Sequence, residues 1–390
     1  MIRAGDGIVL CVLALLCIGA VMVNSAGLSV GTDDPVSFQS IVFSRTTLYL
    51  VMAIGTMLAV SRLPVARLAA TPSLTRRIPL LLPFMVVMLL LVYVPGLGHE
   101  VNGANRWIKV PGTSITMQPS EVAKWGMVFI LAWHGATRAS SLPDFRRGLL
   151  PALVMLALIA VIVTKEDLGT GVLIMAAGSI TLIAAGARVW HFAMMAPIAL
   201  AGIALAVIVS PYRVTRLTTF LDPYKNPDAA GYHMIQSLVA VANGEGFGRG
   251  LGFGLQKFGY LPEDRTDFLF AVICEELGIA GATLVLALYC GLLWAGLGII
   301  RRQSSSFLKL IGIGVLATTG FQAVMNLMVV TGLAPTKGIA LPLLSSGGTG
   351  WILTAGSLGL LVAMDRQHRT DEATAPDAAE PAAHATPAMA

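Results

Sequence analysis

From Tyr260 to Glu276 the chain reads Y-L-P-E-D-R-T-D-F-L-F-A-V-I-C-E-E, which sets an acid, Asp267, where a polar, glycine-rich stretch enters a long apolar run. A carboxylate at the edge of a membrane is costly to desolvate, so such a residue is a functional-site candidate by default. The structural alternative makes Asp267 the first-turn acid of a helix, with Thr266 as its cap and the helix dipole favouring the charge. A second constellation runs from Asn102-Gly103-Ala104-Asn105-Arg106-Trp107-Ile108 through Lys109 to Gln118-Pro119-Ser120-Glu121-Val122-Ala123-Lys124. Arg106 beside Trp107 suits an anionic headgroup at an interface, the guanidinium meeting the charge and the indole anchoring the backbone. Pro119 fits a first helical turn, with Gln118 or Ser120 to cap it. Glu121 and Lys124, three apart, share a helix face just inside the membrane, either as a self-neutralising pair or as working groups.

Three further segments collect polar residues. In Glu166-Asp167-Leu168-Gly169-Thr170, Asp167 reads first as a helix cap. Arg216-Leu217-Thr218-Thr219-Phe220-Leu221-Asp222-Pro223 is followed by Gly231-Tyr232-His233-Met234-Ile235-Gln236-Ser237, where Met234, Leu238 and Val241 would form one face of an interfacial helix and a lone His233 reads as structural. Thr331-Gly332-Leu333-Ala334-Pro335-Thr336-Lys337-Gly338 leads to Leu341-Pro342 and the run S-S-G-G-T-G at 345–350. Lys337 there is either a snorkelling lysine or a cation held for use. The glycines from Gly244 to Gly254, ahead of Gln256 and Lys257, imitate a nucleotide loop, but no strand and helix of an α/β unit flank them. Close approach of backbone to a ligand or to another helix is the better reading.

The elements that must position these groups are membrane helices. Hydrophobic residues make up 56% of the 390 and charged residues only 12%. Ten apolar runs are long enough to cross a bilayer: roughly 7–27, 43–61, 78–96, 117–137, 148–164, 169–187, 190–210, 267–300, 308–332 and 343–364. The expected fold is all-α, a polytopic membrane protein of ten transmembrane helices, with the long eighth run tilted or broken. Arg3, Arg62, Arg67, Arg76, Arg77, Arg138, Arg146, Arg147, Arg188, Arg301, Arg302, Arg366 and Arg369 all fall on one side of this arrangement. That side is cytoplasmic, so both termini are inside. Asp33 and Asp34, the 97–116 loop, the 165–167 turn, the large 211–266 loop between spans 7 and 8, and the 333–342 loop lie on the extracytoplasmic side. The net charge of +5 therefore follows from topology, and nucleic-acid binding is not needed to explain it. The first run is read as a retained span, although Asn24-Ser25-Ala26-Gly27 offers small residues. Cys11, Cys17, Cys274 and Cys290 sit in apolar runs without metal-ligand spacing and are read as free thiols. Residues 1–364 form one membrane domain; 365–390, rich in Ala, Pro, Glu and Asp, are expected to be a disordered cytoplasmic tail.

Taken together, N-G-A-N-R-W-I, Q-P-S-E-V-A-K, E-D-L-G-T, the block from Gln236 to Gly278 (Q-S-L, Q-K-x-x-Y-L-P-E, T-D-F-L-F-A-V, E-E-L-G) and T-G-L-A-P-T-K-G resemble the shape, elongation, division and sporulation family, whose members include RodA and FtsW. The motifs recur in family order from about residue 7 to 364, and the 236–278 block is the most specific. Arg265 stands where the family commonly has histidine, and S-S-G-G-T-G replaces the usual S-Y-G-G-S-S; both put substrate contacts and the subfamily in question. The resemblance implies a peptidoglycan glycosyltransferase that polymerises lipid II in the bacterial plasma membrane, for elongation or division. Such a reaction needs a base for the attacking hydroxyl and cations for the departing pyrophosphate. On that resemblance Asp267 is the catalytic base, and Arg106, Lys124, Arg216 and Lys337 are pyrophosphate ligands. Glu121 and Asp167 would orient the lysine and arginine or hold a divalent cation such as Mg or Mn. Gln236, Ser237 and Lys257 complete the substrate-binding set. A class B penicillin-binding protein, a single-pass transpeptidase, is the expected partner. The alternative is a flippase or transporter for the lipid-linked precursor; a scaffold that merely recruits a partner is a third reading.

Overall fold

The computed structural model describes residues 3–27, 43–101, 103–109, 116–346 and 348–374. Asp33, Asp34, Asn102 and Gly347 lie outside the described residues, as does 375–390. The helices are α1 (Ala4–Ala26), α2 (Arg45–Val60), α3 (Val65–Ala70), α4 (Pro72–Thr75), α5 (Leu81–Leu90), α6 (Pro119–Thr137), α7 (Leu150–Glu166), α8 (Leu168–Ala184), α9 (Val189–Ile208), α10 (Pro211–Leu221), α11 (Tyr232–Asn243), α12 (Leu269–Arg302), α13 (Ser306–Val330) and α14 (Thr349–Thr374). Each of the ten apolar runs falls on a helix. Six helical stretches, at Ala4–Ala26, Pro72–Tyr93, Phe145–Glu166, Val189–Ile208, Leu269–Arg302 and Ser306–Val330, are long and apolar enough to cross a membrane, and α2 and α8 are shorter apolar helices. The chain is a multi-pass helical membrane protein.

The bundle closes on itself through α1 against α12, α2 against α14, α7 against α8, and α13 against both α6 and α8. Apolar side chains such as Leu15, Leu16, Met57, Leu292 and Leu358, each fully buried, fill the interior. Helix α9 differs: none of its residues is buried, and Trp190 and Ile208 are 72% and 71% exposed. A helix apolar but for His191, with no buried face, can persist only where lipid surrounds most of it.

Three expectations are corrected. The 97–116 segment is not simply a loop, so the fold is not purely helical. Gly98–Val101 (β1), Ala104–Lys109 (β2) and Thr116–Met117 (β3) form an antiparallel sheet, with Gly98 opposite Ile108, Ile108 opposite Met117, and an irregularity between His99 and Glu100. Short strands interrupted by such a shift carry no two-residue alternation long enough to read. The tail, expected to begin at 365, is helical through Thr374, because Asp365 is still buried inside the bundle. Thr266 does not cap the eighth span. The carbonyl of Glu263 accepts from Thr266 N (3.1 Å) and Phe268 N (3.2 Å), so Asp267 lies in a turn and the helix starts two residues later.

The eighth run is broken, at Gly278, whose φ of 64° and ψ of −160° suit glycine. The freed backbone groups are taken up by the glycine-rich loop: Arg249 N and Gly250 N donate to the carbonyls of Glu275 and Glu276, while Ile279 N and Ala280 N donate to those of Glu245 and Gly246. Irregular backbone at membrane depth survives when protein satisfies it in this way. The glycines therefore permit approach to a helix, and a Cβ on Gly248 would overlap the Glu276 carbonyl.

Candidate active site

Segments far apart in sequence converge on one cavity of about 1520 Å³. Its polar walls come from β2, the α7–α8 turn, α10, the turn before α12 and the α13–α14 loop. Leu200, Ile203, Ala204, Val207 and Ile208 of α9 line its apolar side.

The turn before α12 presents Asp267. Its carboxyl is half-buried and opens on the cavity. That burial, reinforced by the like charges of Glu263 and Asp167, pushes it up to about 7 against the pull of Arg216 and Arg106. Gly338 lies beside both groups: a Cβ there would lie 3.2 Å from Asp267 Oδ2 and 3.5 Å from Arg106 Nη1. The Asp267 carboxyl and the Arg106 guanidinium thus both lie beside Gly338.

Arg106 is held by its Nε, which donates to the Glu166 carbonyl at 3.0 Å. Glu166 Oε2 accepts from Asn105 N (3.0 Å) and Oε1 from the Tyr93 hydroxyl (2.8 Å), pinning β2 to the end of α7. Arg216 donates to the Thr336 carbonyl at 3.1 Å and lies over the Tyr212 ring. Lys337 is half-buried on the cavity wall. Burial lowers its ammonium pKa, with the Asp167 charge opposing. His233 also lines the wall, its ring 6.1 Å from that of Phe268, and burial and Arg216 lower it.

Asp167 caps α8: Oδ1 accepts from Thr170 N at 3.0 Å and Oδ2 from the Thr170 hydroxyl at 2.8 Å. Its oxygens are thereby engaged, yet its charge still reaches Asp267 and Lys337. Pro119 does open α6, but Gln118 turns its amide to the Ser120 hydroxyl instead of capping the helix. Glu121 and Lys124 form a pair at 2.7 Å. Glu121 lines the cavity; Lys124, 2% exposed, does not, and gives its remaining contact to Gln322 Oε1 at 2.8 Å.

Besides Lys124, three more expected substrate contacts are not brought to the cavity. Lys257 is buried, paired with Glu276 at 2.7 Å and bonded to the Ser25 hydroxyl at 3.0 Å, while Ser25 donates to Glu276 Oε2 at 2.8 Å. A buried lysine keeps its charge only beside such a partner, and this partner lies at the α12 break. Ser237 donates to the Val330 carbonyl at 2.8 Å and so fastens α11 to the end of α13. Gln236 is half-buried on α11, away from the cavity lining. Arg265 turns outward to the Gly27 carbonyl (3.0 Å), and its own carbonyl accepts from Ser346 N at 2.9 Å.

Sequence reasoning passed over several groups. Arg213 donates to the carbonyls of Thr164 (2.6 Å), Lys165 (2.9 Å) and Ala206 (2.9 Å), tying α7, α9 and α10 together. Its signal was an arginine three before Arg216 on one helix face. Gln322 and Asn326, four apart on α13, donate to the carbonyls of Ala340 (2.9 Å), Ile339 (2.7 Å) and Asp267 (2.8 Å). Two amides one turn apart in an apolar run were the readable sign. Among the described residues no three of His, Cys, Asp and Glu are grouped as a metal site.

A cavity that sets charged side chains opposite an apolar, lipid-facing wall, in a bundle of apolar helices, defines a multi-pass membrane protein with one amphipathic site. The family model for cell cycle proteins of the FtsW, RodA and SpoVE type matches residues 6–370, and the chain belongs to that family. It is 38% identical over 372 residues to a probable peptidoglycan glycosyltransferase FtsW of Thioalkalivibrio sulfidiphilus, covering 94% of this chain and 90% of that protein. It is 40% identical over 291 residues to stage V sporulation protein E of Bacillus subtilis, covering 74% and 79%. Among solved structures, a chain of a peptidoglycan synthase complex superposes with a TM-score of 0.71 at 25% identity, over 93% of this chain and 97% of that one. The Thermus thermophilus rod shape determining protein RodA shares the fold at a TM-score of 0.62 and 24% identity, over 93% and 96%.

Proposed function

We propose that this chain is a peptidoglycan glycosyltransferase that polymerises lipid II at the outer face of the bacterial plasma membrane. The observation that carries the reading is the meeting of Asp267, Arg106 and the Lys337 loop at Gly338, in a cavity whose far wall is the lipid-facing helix α9. In this reading the 4-hydroxyl of an N-acetylglucosamine attacks C1 of an N-acetylmuramic acid from the face opposite the diphosphate. The new O4–C1 bond forms as the C1–O bond to phosphate breaks, and the electron pair departs with undecaprenyl pyrophosphate. The hydroxyl proton passes to Asp267. A carboxyl pushed up to about 7 is a stronger base than an ordinary carboxylate and so better able to accept it. Arg106, Arg216 and Lys337 hold the diphosphate, which needs fixed positive charge in a water-poor site. The polyprenyl tail lies along Leu200, Ile203 and Val207.

On a ten-span reading, with both termini cytoplasmic and the 211–266 segment outside, these groups would lie on the extracytoplasmic side. The transpeptidase partner, a class B penicillin-binding protein, docks on exposed apolar surface such as Phe247 and Phe253 of the glycine-rich loop and Trp294 of α12. The flippase reading separates in the same experiment. Purified protein in proteoliposomes is given lipid II, and polymer and translocation are both measured. Asp267→Asn is expected to fold, insert and lose at least about 10²-fold in polymerisation; retained polymerisation would remove Asp267 as the base.

A further inference from the structure

The reaction requires that a base on one segment and cations on another keep a fixed separation, and a single buried side chain spans the two. Asn326 of α13 is 1% exposed, and its Nδ2 donates both hydrogens, to the Asp267 carbonyl at 2.8 Å and to the Ile339 carbonyl at 2.7 Å. Neither acceptor belongs to a helix: Asp267 lies in the turn before α12, and Ile339 follows Lys337 and Gly338 in the α13–α14 loop. Two carbonyls aimed at one point repel, so a group with two donors must stand between them. A hydroxyl has one hydrogen to give, and a carboxylate has none. Asn326 Oδ1 has no hydrogen-bond partner among the described residues. The amide is therefore oriented by its donors alone, and its flipped form would set oxygen against oxygen. One turn earlier, Gln322 repeats the device: Nε2 donates to the Ala340 carbonyl while Oε1 accepts from Lys124. Lys124, neutralised by Glu121, thus orients an amide and does not reach the cavity.

We propose that Asn326 is a positioning residue for glycosyl transfer, bracketing the Asp267 turn to the Lys337 loop and so setting the distance between base and diphosphate-binding cations. This rests on the assignment of Asp267 as base. The charges around the bracket are Asp267 itself, Lys337 on the loop, Arg106 on β2, and Glu121 and Lys124 on α6 acting through Gln322. A purely structural amide would satisfy the same carbonyls, and its loss would lower stability without changing the form of the kinetics.

The test is Asn326→Asp, nearly isosteric, assayed for lipid II polymerisation in proteoliposomes beside wild type and Asp267→Asn. Expected is a roughly hundredfold fall in kcat, the loss that about 1 Å of misplacement brings, with KM within about threefold. The deficit relative to wild type should deepen from pH 6.5 to 9, because a protonated acid keeps one donor and an ionised one has none. Wild-type kcat with a wild-type pH profile overturns the inference, as does a loss carried wholly by KM. Should Asn326→Asp fail to insert, Gln322→Glu makes the same change against the Ala340 carbonyl and is read by the same criteria. Failure of both to fold assigns the amides to stability alone and also overturns it. Polymerisation by Asp267→Asn would instead sink the base assignment, whichever way Asn326 behaves.

Discussion

Gly338→Ala adds one carbon to the cavity wall between Asp267 and Arg106. Its methyl would lie 3.2 Å from Asp267 Oδ2, 3.5 Å from Arg106 Nη1 and 4.0 Å from Asp267 Cγ. Gly338 does not have a left-handed φ, so alanine costs the backbone nothing there. Ordinary contact begins near 3.4 Å, so the carboxylate oxygen must retreat by a few tenths of an ångström. The methyl also fills the space between base and guanidinium where the reacting atoms would sit. With about 10²-fold lost per 1 Å of misplacement, the displacement and the partial block together predict a fall in kcat of roughly tenfold, or about 1.4 kcal/mol in the barrier. Gly338→Val, with two more methyl groups, should lose a further factor of about ten. The assay is glycan-strand formation from lipid II in proteoliposomes over a range of substrate concentrations, with thermal unfolding in parallel. Wild-type turnover by Gly338→Ala would mean that chemistry does not occur between Asp267 and Arg106. A loss matched by a fall in melting temperature would mean that the methyl disturbed packing instead.

Three other outcomes follow from the same geometry. Because the base must be ionised, polymerisation should decline about tenfold per pH unit well below 7, and Glu263→Gln, by removing a like charge, should move that limb to lower pH in a pH–rate profile. A carboxyl raised by burial means the ionised form is disfavoured in the folded protein. Its cost is absent below the ordinary carboxylate range, grows as pH rises, and is complete above about 7. Asp267→Asn should therefore melt higher than wild type at pH 8, and the gap should close toward pH 4. Lys257→Met strands Glu276 without its cation and should cost about 3–5 kcal/mol, seen as lost folded yield; pairing it with Glu276→Leu should restore much of that yield if Lys257 is structural.

What the sequence disclosed and what it withheld have physical reasons. The Glu121–Lys124 pair and the Asp167 cap depend on contacts three residues apart, which spacing alone encodes. The apolar runs marked the helices because each must satisfy its own backbone in lipid. Contacts across the bundle leave no such trace. Ser25 and Lys257 are separated by 232 positions and meet at Glu276 only because α1 packs on α12. Lys257 therefore looked like a ligand of substrate when its charge is spent on the helix break. Arg213 likewise spends its guanidinium on three carbonyls, where Arg216, one turn on, still faces the cavity. Nothing in either residue type distinguishes the two roles.

Helix α9 carries a consequence for how such a protein is handled. With none of its residues buried, it is held by the hydrocarbon around it and by a few contacts at its two ends: His191 against Phe145, Phe192 against the core, and the Arg213 bond to its last turn. One boundary of the reaction chamber is thus supplied by the surroundings, and amphiphile chain length and lateral pressure become variables of turnover. Rates in short-chain micelles and in nanodiscs of matched thickness should diverge even where the rest of the bundle keeps the same shape.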